Sequence, residues 1–195
     1  MRAKSLAALA ALILLCGGCR GPSGSAGIAQ PLTAGGPDAA APMTDFPKSW
    51  VGTWRGASAN ITPEGRHVDF GMELTIEPIA GSDRFTWKIV YIDPEGTRQV
   101  RPYELVTVDA SKGHYQVDER SSIVIDSYLV DNVFCSVFAV QSTVIAASYR
   151  VSGDRMLVQL ISVNGTNPIG SGGENGVPRV NSHVVTGVQR ATLLR

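Results

Sequence analysis

The feature of this chain that most constrains its fold is an alternation of apolar and polar residues with a period of two. The clearest case is segment 68–76, in which every second residue is Val, Phe, Met, Leu or Ile. Successive side chains of a β-strand point to opposite faces, so this pattern is typical of a strand with one buried and one solvated face. Segment 85–92 repeats the pattern with Phe, Trp, Ile and Tyr. The alternation predicts half-buried strands.

Ten segments between residues 50 and 194 carry such a strand pattern. Hairpin-forming sequences such as Asp93-Pro94-Glu95-Gly96 separate them. No segment of ten or more residues has apolar positions at the helical spacing of three and four, so an all-β domain is expected. The predicted strands are 50–57, 68–76, 85–92, 100–108, 115–117, 122–129, 133–140, 143–151, 155–163 and 183–194.

Short connections between these segments favour pairing in sequence order, as an antiparallel up-and-down sheet. A sheet of about ten twisted strands tends to curl, and closure removes both of its exposed edges. We therefore expect residues 46–195 to form an antiparallel up-and-down β-barrel of about eight to ten strands, filled by side chains or holding one small ligand. A β-sandwich is the alternative.

The first residues differ in character from this domain. Arg2 and Lys4 precede an uncharged, largely apolar stretch at residues 6–15, which is too short to span a bilayer and is typical of a secretory signal peptide. The sequence Leu15-Cys16-Gly17-Gly18-Cys19 that follows resembles the lipobox of bacterial lipoproteins. That resemblance implies cleavage and acylation of a cysteine, and hence a membrane anchor.

Cys19 is the expected lipidation site, because the small residue Gly18 precedes it, whereas the bulky Leu15 precedes Cys16. An ordinary cleaved signal with an unmodified cysteine is the alternative. Residues 1–18 are then the signal peptide, and residues 19–45 are the lipidated cysteine and a flexible linker rich in Gly, Pro and Ala. The residue after Cys19 is Arg20. The resemblance implies that an Asp at this position would retain the protein in the inner membrane. Arg20 therefore favours the outer membrane, on the side that faces the periplasm.

The opening of the first predicted strand, Gly52-Thr53-Trp54, looks like the G-x-W motif of lipocalin-like, or calycin, barrels. The resemblance implies that an arginine on the last strand, here Arg190, stacks on Trp54 where the barrel closes, as a cation–π pair. The motif is similar to that of nitrobindin-type haem barrels as well, for which His183 is the nearest candidate ligand. No flanking motif supports haem binding, and no cofactor is expected.

Composition excludes several classes of protein. The 17 basic and 17 acidic residues balance, without a basic block, which argues against nucleic-acid binding. Three cysteines cannot build a disulfide-dense scaffold. The three histidines lack the spacing of a metal site, so no metal is expected.

The leading hypothesis is a non-catalytic envelope lipoprotein whose barrel binds a small apolar or amphipathic ligand. Asp118 and Arg120 share a face and form either an exposed pair or a polar floor inside the barrel, and Arg101 with Tyr103 admits the same two interpretations. The alternatives are a filled barrel that presents loop 165–178 to a protein partner, a haem barrel, or an enzyme, although no acid–base or nucleophile constellation is present. The ligand's identity and the oligomeric state stay open. The candidate ligand contacts are Phe70, Phe85, Trp87, Tyr91, Tyr103, Arg120 and Phe138.

Overall fold

The structure is a computed structural model that describes residues 45–195. The predicted signal peptide, Cys16, the acylated Cys19 and nearly all of the linker lie outside the described residues. Two short 3-10 helices occur, at Lys48–Trp50 and Ala110–Lys112. None of the helices in residues 45–195 has the length and hydropathy needed to cross a bilayer. The strands are β1 Gly52–Ile61, β2 His67–Ile76, β3 Phe85–Ile92, β4 Arg98–Asp109, β5 His114–Asp118, β6 Val124–Val130, β7 Val133–Val140, β8 Thr143–Ser152, β9 Arg155–Asn164, β10 Ile169–Ser171, β11 Val180–Ser182 and β12 Val185–Leu194.

Ten of these strands form a closed antiparallel barrel, which confirms the predicted fold class. Strands β1 to β9 pair in sequence order, and β12 closes the barrel between β9 and β1. The seam is continuous, because β1 pairs with β12 from Arg55 opposite Leu194 to Ile61 opposite Val188. β1 and β12 would be the edge strands of an open sheet, and their pairing leaves this barrel without an exposed edge.

The segment between β9 and β12 differs from the loop expected at 165–178. It contains β10 and β11, which pair with each other as a separate two-stranded hairpin. The Gly-rich sequence lacks an apolar alternation, so these short strands left no period-two signal in the sequence. The hairpin leaves and rejoins the barrel at adjacent points, where the Asn164 N–H donates to the Val184 carbonyl at 2.8 Å.

The two ends of the barrel are different. At one end, here called the closed end, the N-terminal segment packs Phe46 and Trp50 into the interior. Their rings meet edge to face at 4.9 Å, and Phe46 also contacts Tyr115 at 4.9 Å and Phe134 at 5.1 Å. The opposite end, here called the open end, is formed by the turns 62–66, 93–97, 119–123 and 141–142 and by the connection 165–184.

The half of the interior next to the closed end, here called the packed half, is filled by side chains. Trp87 is 1% exposed and its ring packs against Phe134 at 5.1 Å and Tyr149 at 5.2 Å. Such aromatic pairs stabilise by about 0.5–1.5 kcal/mol each beyond the area they bury. Aliphatic side chains complete this core, among them Leu74, Ile76, Leu105, Met156 and Leu193.

The closure of the barrel corrects one predicted contact. Arg190 lies opposite Ala59 in the β1–β12 register and faces outward, because its neighbours Ala191 and Leu193 alternate with it and point into the core. The arginine on Trp54 is Arg195, whose guanidinium carbon lies 4.8 Å from the centre of the indole.

Gly52 and Trp54 do belong to the seam. The Trp54 indole N–H donates to the Trp50 carbonyl at 2.9 Å, and Trp54 is fully buried. Gly52 has a φ of 139°, and a Cβ at this position would lie 2.8 Å from Arg195 Cδ. Only glycine allows this backbone conformation and leaves room for the Arg195 side chain.

Candidate functional site

The interior next to the open end, here called the open half, is not filled like the packed half. Many inward-facing residues there remain partly exposed, although they point into a closed barrel, while Phe70 and Ile145 are buried. Solvent therefore reaches them through the open end. They include Tyr91, Arg101, Tyr103, Phe138, Leu160, Ser162 and Gln189.

Strand pairing explains why these residues meet. Tyr91 lies opposite Met72 and Gln99, and Trp87 lies opposite Tyr103, so the inward faces of β2, β3 and β4 coincide. On β3 and β4 the inward-facing residues change from large apolar ones in the packed half to Tyr91, Arg101 and Gln99 in the open half, whereas those of β2 stay apolar. The polar side chains of the open half, here called the polar zone, thus lie next to the aromatic side chains of the packed half.

Arg101 is the centre of the polar zone. Its Nη1 donates to the Tyr103 hydroxyl at 3.2 Å, and its Nη2 donates to Gln99 Oε1 at 3.3 Å. Its guanidinium carbon lies 5.7 Å from the centre of the Tyr91 ring, a cation–π distance. These contacts hold a charged group in place inside the barrel.

Glu119 lies in the loop between β5 and β6. It follows Asp118, which is opposite Glu104 in the β4–β5 register, so Glu119 comes next to Tyr103. Burial raises the pKa of Glu119, while Arg101 and Tyr103 act in the opposite direction. The desolvation of this carboxylate is therefore only partly offset by its partners.

Two tyrosines complete the polar zone. Burial raises the pKa of Tyr91, although a hydrogen bond with Gln189 favours the ionised form. Burial likewise raises the pKa of Tyr103, against the effect of Arg101. Both phenols are therefore neutral hydrogen-bonding groups at neutral pH. Apolar surface adjoins them, since Phe70 packs edge to face on Tyr91 at 5.7 Å.

The predicted ligand contacts divide between the two halves. Phe70, Tyr91, Tyr103 and Phe138 point into or border the open half, where a ligand could contact them. Phe85 and Trp87 do not: both are buried in the packed half, where other core side chains occupy their surfaces. Their size and position in the alternation indicated burial but not which end of the barrel they would fill.

Arg120 is a further correction, because its side chain lies on the outer face. Its guanidinium pairs with Glu104, and Arg84 Nη1 donates to the same carboxylate at 2.6 Å and to Asp118 Oδ2 at 3.1 Å. Asp118 faces outward, opposite Glu104 in the β4–β5 register. The Asp118–Arg120 polar floor is thus ruled out in favour of an exposed network.

Sequence reasoning missed Glu119 as a site residue. Its neighbour Val117 is an apolar residue that faces the core, and Glu119 has the same parity, two residues later. This spacing already indicated that the Glu119 side chain faces inward. The sequence also did not indicate Gln189 as a site residue, because its contact with Met72 depends on how β12 closes the barrel.

The histidines and the free cysteine lie outside this site. His183 Nδ1 lies 2.9 Å from the Asn164 carbonyl oxygen, in an exposed position at the open end. Cys135 faces outward on β7, opposite Ser148, with Sγ 3.5 Å from the Tyr128 carbonyl oxygen. Within residues 45–195, no group of three or more His, Cys, Asp or Glu side chains is arranged to hold a metal ion.

No family profile matches this sequence, and no curated protein is found to be related to it. Two solved structures share the barrel with a TM-score of 0.52 and 12% sequence identity. One is a protein of unknown function from the DUF3598 family of Nostoc punctiforme; the match covers 74% of this chain and 47%, about half, of that protein. The other is an S-type phycobiliprotein lyase from Guillardia theta, with coverage of 74% of this chain and 87% of that one. At this identity the likeness concerns the fold alone.

Proposed function

We propose that this protein binds a small amphipathic molecule in the open half of its barrel and acts without catalysis, as an acylated protein of the cell envelope. The observation that carries the proposal is the contrast between the two halves. The same sheet encloses a packed half with large side chains almost fully buried and an open half in which many inward-facing side chains remain partly exposed.

The chemistry of the open half favours an amphipathic ligand. Phe70, Phe138 and Leu160 supply apolar surface, whereas Arg101 and the two tyrosine hydroxyls supply a few fixed polar groups. Pockets for small molecules commonly combine predominantly apolar walls with a small number of placed polar groups. One fold relative is a phycobiliprotein lyase, which agrees with a barrel that handles a small molecule.

The binding test uses two leucines of β9. Leu160 faces inward, opposite Gln189, and Leu157 faces outward and is 49% exposed. Leu160→Trp should fill the open half and abolish binding of amphipathic probes such as dodecanoate and dodecanol, measured by calorimetry and native mass spectrometry. Leu157→Trp is the matched control and should bind normally. Failure of the native protein to bind any amphipathic probe would contradict the proposal.

The envelope location rests on the sequence around Cys19. Acylation would place the barrel at a membrane, where amphipathic ligands reside, and a multiply acylated terminus would give stable anchoring. Mass spectrometry of the protein extracted from bacterial membranes should find lipid on Cys19, and Cys19→Ser should release the protein from the membrane fraction. A soluble native protein with an unmodified Cys19 would contradict this location.

The hairpin of β10 and β11 favours a second candidate function, the binding of a protein partner. Ile169 is 64% exposed, Val177 58% and Val180 53%. Since the hairpin joins the barrel at adjacent points, Gly165 and His183 can be reconnected by a short turn after its removal. Deletion of residues 167–181 should abolish capture of a partner from envelope extracts without unfolding the barrel; unchanged capture would exclude this role.

A further inference from the structure

We propose that the outer face of β7, β8, β9 and β12, next to the open end, is a docking surface for an anionic lipid membrane. This inference rests on the envelope location given under the proposed function, and it names the side of the barrel that meets the membrane.

The first observation is a continuous aliphatic surface on the outside of the barrel. Strand register places outward-facing residues of these four strands side by side in rows. The two rows nearest the open end consist of aliphatic side chains, and they are here called the aliphatic face. Its central members are Val137, Ala146, Ile161 and Val188 in one row and Val144 and Val163 in the row nearer the open end.

The aliphatic face is in contact with solvent. Val137 is 71% exposed and Ala146 is exposed, whereas Ile161 and Val188 are half-buried. Single exposed aliphatic side chains are common on protein surfaces, but a contiguous apolar patch is typical of a surface that meets a partner or a membrane.

The second observation is the charge of the same four strands. Within β7, β8, β9 and β12 as the structure describes them, the charged residues are Arg150, Arg155 and Arg190, and there is no Asp or Glu. Arg190 lies in the row directly behind the aliphatic face, opposite Gln159, and Arg150 lies one row further. Neither of these two arginines forms an ion pair with another residue of the range 45–195.

The other wall of the barrel has a different surface. Its outward-facing carboxylates are paired with arginines, as in the contacts of Arg98 with Glu73 at 2.7 Å and of Arg84 with Glu104 at 2.6 Å. That wall is therefore a mixed, internally neutralised surface, whereas the aliphatic face and its arginines lack an anionic partner within the described chain.

These two observations together favour an anionic lipid surface as the occupant. Aliphatic side chains enter the boundary between headgroups and acyl chains, and arginines beside them bind lipid phosphates. A second copy of this chain fits less well. In a twofold pair the same patch meets itself, so the arginines of both copies would approach each other without a carboxylate from these strands between them.

The expected anchor permits this orientation. The sequence predicts a flexible linker at residues 20–45, and flexible chains of this length span on the order of 28 Å. A strand of ten residues, such as β8, is about 34 Å long. A barrel tethered from its closed end can therefore lie with its side on the membrane. Docking would then bring the open end, which the aliphatic face borders, to the lipids from which an amphipathic ligand would enter.

The test places a tryptophan on either side of the barrel. The acylated protein is extracted from bacterial membranes and reconstituted into phosphatidylglycerol vesicles with brominated acyl chains, which quench nearby tryptophan fluorescence. Val137→Trp should be strongly quenched. Val100→Trp is the matched control, because Val100 is 53% exposed on the outer face of β4, and its quenching should stay at the level of the native chain. The native tryptophans are buried and give the same background in both variants.

Two further variants test the charge. Arg150→Gln and Arg190→Gln, each combined with Val137→Trp, should reduce the quenching, since each arginine near an anionic surface contributes about fivefold to docking affinity. In phosphatidylcholine vesicles the two substitutions should have no effect. Circular dichroism checks folding, and Ala146→Trp replaces Val137→Trp if that variant fails to fold.

The remaining outcomes separate this inference from the location on which it rests. Equal quenching at positions 137 and 100, or none at either, in protein that floats with the vesicles would overturn the docking surface while the envelope location stands. A dimer in sedimentation that buries the tryptophan of Val137→Trp without lipid would assign the aliphatic face to a second copy and overturn it as well. If the protein carries no lipid and does not float with the vesicles, the envelope location fails, and this inference fails with it.

Discussion

The guanidinium of Arg195 lies 4.8 Å above the ring of Trp54, where the first and last strands of the barrel meet. Its Nη1 also donates to the Val51 carbonyl at 3.2 Å and to the Ser49 carbonyl at 3.4 Å. One side chain thus joins the end of the chain to the indole and to the segment that caps the closed end.

This contact predicts a stability difference between two arginines of the same region. Arg195→Ala should lower the free energy of unfolding by about 1–2 kcal/mol, since a cation–π contact contributes about 0.5–2 kcal/mol and hydrogen bonds add to it. Arg190→Ala, on the outer face, should change it by less than about 0.5 kcal/mol. Urea denaturation measures the free energy of unfolding of both variants. A larger effect at Arg190 would show that Arg190, and not Arg195, stabilises the seam.

A second prediction compares two phenylalanines of β7. Phe134 is 1% exposed and contacts five other aromatic rings in the packed half, whereas Phe138 faces the open half. Phe134→Ala should cost about 3–5 kcal/mol, the usual effect of removing a buried aromatic ring. Phe138→Ala should cost less than half of that. Equal losses in chemical denaturation would mean that the two halves are packed alike.

A third prediction concerns the approach of β1 to β12. A Cβ at Gly56 would collide with the backbone oxygen of Thr192, so Gly56→Ala should destabilise the barrel by about 2 kcal/mol or more. Gly187→Ala is the control, because its Cβ would lie 3.5 Å from the nearest atom, the Ile61 carbonyl oxygen, which is an ordinary van der Waals distance. Thermal unfolding should show a clearly lower Tm for Gly56→Ala alone. Similar Tm values for the two variants would contradict the close approach of the strands.

A fourth prediction follows from the raised pKa of Glu119. A carboxyl whose pKa is higher in the folded state than in the unfolded state favours folding when protonated, so its contribution is present at low pH and is lost as the pH rises through the folded pKa. Glu119→Gln should therefore be more stable than the native chain at pH 7, and the difference should shrink towards pH 4.

The groups that face Glu119 are Arg101, Tyr103 and Tyr91, all of which both proteins share. The lowered pKa values of Glu73, Asp118 and Asp126 act in the opposite direction on total stability, but they cancel in this comparison. Denaturation of both proteins across this pH range measures the difference. A native chain that is the more stable of the two at pH 7 would contradict the assignment.

Much of the fold followed from the alternation of residues. All ten predicted segments correspond to barrel strands, because a period of two is set by local backbone geometry. The prediction that Arg190 stacks on Trp54 was wrong, because the motif resemblance implies an arginine on the last strand without giving the face on which it lies. Ala191 and Leu193 already indicated that Arg190 faces outward, and Arg195 has the same parity as Leu193.

The site was less accessible from sequence. Alternation tells which residues share a face, but it does not tell which half of the barrel is filled by residues from other strands. Trp87 and Tyr91 look equivalent along β3; only the packing of Phe134 and Tyr149 on Trp87 separates them. The position of Glu119 next to Tyr103 likewise depends on how β4 pairs with β5 and on the loop that follows.

The most direct test of a barrel with one packed and one open half is a nuclear magnetic resonance titration of the folded protein with dodecanoate. Saturable shifts are expected at the side chains of Tyr91, Arg101, Tyr103, Phe138 and Gln189, with Trp87 and Phe134 unaffected. No saturable shifts, or shifts confined to the outer face around Glu104 and Arg120, would show that the open half does not bind the probe.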